Sequence, residues 1–197
     1  MNLWWWLALV AGVVLLLLGL SAAVAARRLD RLHTTLLKSR RAVEQALAAR
    51  ARTAYDMAMS GELDMAGALI LTDSAQRVLS ASMLPVVADG LEALPGDMRG
   101  DLPDPAAAAR ERRAVESELS RALRLTVDEL DAGDITDPAA REFYRRLARA
   151  RLDVRMTRSF HNSHVDQARR VRNSRVLSIF PIAGHAPVPQ TIDIDDE

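Results

Sequence analysis

The sequence contains no cysteine. That excludes disulfides, thiolate zinc sites and cysteine nucleophiles, and leaves the redox compartment open. Aromatic residues are scarce at 4%, so any core must be aliphatic and alanine-rich. Such a core suits helices better than sheets, because strands draw on aromatic and β-branched side chains. A net charge is missing too: Lys plus Arg number 26, as do Asp plus Glu, which removes the bulk electrostatic argument for nucleic acid. Lysine is reduced to Lys38, and arginine carries the rest of the positive charge. No phosphate loop, Gly-x-Ser-x-Gly elbow or His-Glu-x-x-His motif occurs.

Charge is also absent from residues 3–26, and this absence is the most informative. A helix over that stretch would be about 36 Å long, enough to cross a hydrocarbon layer of about 30 Å. A soluble core helix would need a polar face, and this segment has none. Trp4, Trp5 and Trp6 stand at one end, where indole rings favour the headgroup level. Arg27, Arg28 and Arg31 stand at the other, followed by Lys38, Arg40 and Arg41, with Asp30 the one opposing charge. The positive-inside rule then places the N-terminus outside and the body of the chain in the cytoplasm of a cell with this plasma membrane. Ala23-Val24-Ala25 has the small-x-small form of a cleavage site. The segment lacks a basic n-region, however, and its apolar stretch is long for a signal peptide, so an uncleaved single-pass anchor is the reading adopted.

Residues 27–180 read as a cytoplasmic helical bundle. Leu29, Leu32, Leu36, Val43 and Ala46 form the apolar stripe of a first helix, over about 28–58, and nothing interrupts it from the anchor. Asp64 is a candidate N-cap for a second helix, over about 65–83. Proline and glycine then break the chain through a long loop at 84–104, expected to be mobile or functional. Asp104-Pro105 and Asp137-Pro138 repeat one start signal, an aspartate cap followed by a proline with no N–H to leave unpaired. The third helix should run to about residue 131. The fourth carries Phe143, Leu147, Ala150, Val154, Thr157, His161, His164, Ala168 and Val171 at alternating four- and three-residue steps, a heptad-like, coiled-coil-like seam with a polar middle. The only strand-like alternation falls at 191–194, inside a proline-containing acidic stretch, 181–197, expected to be a loose tail. The expected fold is all-α: a transmembrane helix followed by an up-down antiparallel bundle of about four helices.

Up-down topology would return the fourth helix to the membrane. Arg169, Arg170, Arg172 and Arg175 would then join Arg27, Arg28 and Arg31 near the headgroups, while Asp56, Glu62, Asp64, Asp128 and Asp137 collect at the far end. Glu111, Glu116 and Glu118 lack the Glu-x-x-His pattern of di-iron bundles and are expected to pair with arginines on a solvated face.

Two runs carry a resemblance to a known family. The first is His33, Thr34, Leu36, Leu37, Arg40, Val43 and Ala46; the second is His161, Asn162 and Val165, with Phe180-Pro181 beyond. Together they resemble the LemA family of bacterial membrane-anchored helical proteins, with His where that family has Tyr. The resemblance implies an N-terminal anchor and a long helical bundle, and it brings no catalytic residue.

Two classes of function follow. The first is a membrane-anchored scaffold or interaction module, meeting the lipid bilayer and an unidentified protein partner, with homo-oligomerisation open and no cofactor. The second is a metal- or ligand-dependent enzyme on the seam, with His33, His161 and His164 as the candidate metal ligands.

Overall fold

The computed structural model describes residues 3–90, 104–131, 133, 135–172 and 188–196. The fold is all-α. Helix α1 spans Leu3–Ala58, α2 Met65–Ser80, α3 Pro105–Thr126 and α4 Pro138–Arg172, with a 3-10 turn at Ala81–Met83 after α2. The described residues contain no strand.

Helix boundaries fall where the local chemistry puts them. Asp64, Asp104 and Asp137 each accept a hydrogen bond from the amide three residues on, at 2.9, 2.9 and 3.0 Å. Each thereby satisfies one of the amides that a helix start leaves unpaired. Gly61, at φ 84°, turns the chain out of α1 in a conformation that costs a side-chain-bearing residue more than glycine. Across the junction between apolar and arginine-rich sequence α1 does not break, so one rod of 56 residues joins the two.

Alternate up and down directions make α1 and α4 antiparallel. Leu36 packs with Val165 and Ala168, Val43 and Leu47 with Val154, and further out Ala51, Ala54 and Met57 share a cluster with Leu147. The outer cluster is the main core. There α2 gives Leu71, Ala75 and Val78, and α3 gives Val115, Leu119, Ala122 and Leu123. On α4 the predicted seam is observed with one shift: Val165 is fully buried, whereas the neighbouring seam position His164 is only half-buried.

Helices α1 and α4 pack closely, as do α1 with α2 and α2 with α3, but α3 and α4 share little direct contact. Residues 188–196 fill that gap. The expectation of a loose tail is therefore corrected for these residues: Ile192 is 0% and Ile194 5% exposed, both in a cluster with Val43, Leu47 and Val154. The alternation at 191–194 is real, but it inserts two isoleucines into a helical bundle instead of pairing in a sheet. The long loop needs a similar correction at its start, the part that is described. Val86 and Val87 are each 1% exposed and join the same cluster, because this stretch and the terminal segment together cover what α3 leaves open.

Candidate functional site

Residues 4–21 of α1 are long and apolar enough to cross a membrane, and no side chain in that window is buried by protein. Trp4, Trp5 and Trp6 are 81%, 77% and 57% exposed. Arg27 and Arg31 are exposed on the same helix, where Arg28 continues the backbone; its side chain and Arg175 lie outside the described residues. Arg170 is exposed near the end of α4 and Arg172 half-buried. Arg169 is partly committed within the protein, since its Nε donates to the Pro189 carbonyl at 3.0 Å.

The three histidines do not form a metal centre. Among the described residues no three His, Asp or Glu side chains are placed to hold an ion. His33 and His164 are half-buried, while His161 is 1% exposed with its Nδ1 2.9 Å from Ser39 Oγ. The Ser39 hydroxyl also donates to the Leu36 carbonyl at 2.9 Å, so it accepts from an Nδ1–H. His161 Nε2 is buried without a hydrogen-bond partner among the described residues. Burial first, and the nearby Arg40 guanidinium second, push the imidazole down to about 4; the Gln190 backbone and the Asp89 carboxylate oppose this and are outweighed. His161 is thus a neutral seam residue at pH 7.

Two acid–arginine clusters surround the terminal segment. In the inner one, buried Arg40 pairs with buried Asp89, and the Asp89 carboxylate also accepts from the Gln190 amide at 3.1 Å. Asn162 forms a reciprocal pair with the Ile192 backbone, donating at 3.0 Å and accepting at 2.8 Å, as a neighbouring strand would. In the outer one, Arg124 grips the Asp195 carboxylate through two bonds of 3.0 and 2.7 Å, and Arg158 grips Asp196 through two of 2.7 Å. Ser120 donates to the Asp195 carbonyl and Ser117 accepts from its amide. Both forks are the paired, planar geometry in which guanidinium binds carboxylate best.

Glu116 overturns the expectation of a solvated partner. It is 0% exposed, 2.8 Å from Arg50 on α1 and 2.6 Å from Arg112 on its own helix. Arg112 also donates to the Val78 carbonyl at 2.7 Å and Arg50 to Ser120 Oγ at 3.0 Å, so the triad ties α1, α2 and α3 to the terminal segment. A glutamate among arginines at helical spacing reads as surface, and only the packing of three helices reveals it as interior. By contrast Glu118, paired with Arg77 at 2.6 Å, does lie on a solvated face.

Of the family-motif residues, Leu36, Arg40, Val43, Asn162 and Val165 meet on the α1–α4 seam, whereas Phe180 and Pro181 lie outside the described residues. A cleft of about 420 Å³ elsewhere is lined by Arg52, Thr53, Tyr55, Asp56, Leu79 and Arg146. The outward side of α4 shows a stripe of Leu152, Met156 and Phe160, 49%, 49% and 59% exposed. No family model, curated protein or solved structure matches the chain.

Proposed function

We propose that this chain is a membrane-anchored helical interaction module whose body lies on the cytoplasmic side of the bilayer. The observation that carries the reading is the continuity of α1. One unbroken helix begins as an apolar stretch with no protein around it and ends in the bundle core. Exposed Leu, Val and Trp along a full membrane thickness are stable against lipid and costly against water. Arginines at the junction, with Arg170 on the returning helix, give the basic flank that the positive-inside rule retains in the cytoplasm. The LemA resemblance implies the same architecture, an N-terminal anchor followed by a helical bundle.

For an interaction role, the support is an outward apolar stripe of Leu152, Met156 and Phe160 on α4. The test is twofold. Protease added outside intact cells is expected to leave the bundle uncut, and crosslinking in those cells should capture a reproducible protein partner. Digestion of the bundle from outside would overturn the orientation. Failure to capture any specific partner would overturn the interaction role.

A further inference from the structure

We propose, resting on the interaction-module reading, that the outward face of α1 is a docking surface for an acidic polypeptide segment of a partner protein. Lys38, Arg41 and Arg52 on α1 and Arg146 on α4 hold that segment.

The cations of α1 divide by face. Arg40 and Arg50 point inward, each buried against a carboxylate, Asp89 and Glu116. Lys38, Arg41 and Arg52 are exposed. Steps of three and eleven residues bring them back to one side of a helix with 3.6 residues per turn. Between Arg31 and Ala58 the acidic residues of α1 are Glu44, half-buried, and Asp56, at the distal end. Lys38, Arg41, Arg52 and Arg146 have no ion-pair partner among the described residues. Positive charge left uncompensated along one face attracts a ligand of the opposite sign.

The face ends in a concavity. Arg52 and Arg146 come from two helices to the cleft of about 420 Å³, where Tyr55, Asp56 and Leu79 also line the wall. Guanidinium groups there suit a carboxylate, and Tyr55 and Leu79 offer apolar surface to pack on. Half-buried Asp56, itself without an ion pair among the described residues, calls for a donor. A polypeptide supplies one as an amide N–H or a basic side chain. A polyphosphate chain would bring more negative charge against Asp56 instead.

The rod-like continuity of α1 separates a protein partner from the bilayer itself. From Leu3 to Ala58 the helix is unbroken, so its outward face cannot fold down onto the headgroups. At 1.5 Å per residue Lys38 lies about 18 Å beyond Ala26, Arg41 about 22 Å and Arg52 about 39 Å. A tilt of about 20° shortens these heights by only about 6%. Screening confines the field of anionic lipids to about 8 Å at physiological salt. Arg27 and Arg31 fall within that layer, and the cations beyond them do not.

The test uses the full chain in vesicles of zwitterionic phosphatidylcholine, which removes anionic lipid as a competitor. The probe is a fluorescent glutamate–alanine peptide long enough to span the about 21 Å from Lys38 to Arg52. Binding, read by anisotropy, is expected at low salt and should weaken as salt rises. Lys38→Gln, Arg41→Gln, Arg52→Gln and Arg146→Gln together should lower affinity about tenfold or more, with the urea midpoint unchanged because these side chains are exposed and unpaired. Arg149→Gln with Arg155→Gln, an equally exposed pair elsewhere on α4, should change affinity less than about twofold. Arg52→Gln alone should cost about threefold, so the result does not hang on the quadruple variant. No binding of the acidic peptide at low salt would overturn the proposal. So would equal losses from the two sets of substitutions, or tighter binding of a single-stranded oligonucleotide of the same charge. Each of these failures leaves the anchored-module reading to its own protease and partner-capture tests.

Discussion

The two ends of the bundle are built differently. Away from the apolar end of α1, three helices and the start of α4 bury a continuous aliphatic cluster around Leu71, Leu119, Leu123 and Leu147. Toward the apolar end, α1 and α4 run nearly alone, and their seam is two small clusters separated by Arg40–Asp89, Ser39–His161 and Asn162–Ile192. The outer end holds by area. The inner end holds by satisfying polar groups and by borrowing residues 86–89 and 188–196 as filler. A two-helix stalk offers too little apolar surface to bury a core by itself, so each polar insertion must be paired or it costs more than it contributes.

The largest effect should come from the buried charged triad within the outer end. Glu116→Ala leaves Arg50 and Arg112 buried without their carboxylate and is expected to lower stability by about 3–5 kcal/mol, read as a fall in the urea midpoint. A loss under about 1 kcal/mol would mean water reaches the triad and the outer core is not dry. Next comes a direct comparison of the ends. Leu119→Ala should cost about 4 kcal/mol and Leu36→Ala about 2, because the smaller cluster can collapse around the deletion. Equal costs would erase the distinction drawn here.

His161 sharpens the contrast through pH. Its folded value, about 4, lies below the ordinary value of 6.5. The unfolded chain therefore binds more protons between those limits, and stability is lost as pH falls from about 6.5 to about 4, by up to about 3 kcal/mol. His161→Asn should flatten that slope in urea melts at pH 7 and pH 4.5, and an unchanged slope would assign it to other groups. Asn162→Ala should cost about 2 kcal/mol by stranding both backbone groups of Ile192, with faster exchange of that amide. The smallest effect belongs to the half-exposed Arg77–Glu118 pair, where Glu118→Ala should stay within about 0.5 kcal/mol.

Much of this molecule follows from local rules. An uncharged stretch of membrane length, three aspartate caps and apolar residues at three- and four-residue steps define the helices and their starts before any tertiary contact forms, because each acts within a few residues along the chain. The seam on α4, including His161, was likewise legible from spacing. Tertiary structure decided the rest: that Glu116 is interior, that Arg40 and Asp89 meet across 49 positions of sequence, and that an acidic proline-flanked stretch becomes part of the core. Composition marks such residues as surface or tail, since charge normally prefers water. Only the gap left between α3 and α4, and the arginines that happen to line it, make burial of that segment favourable.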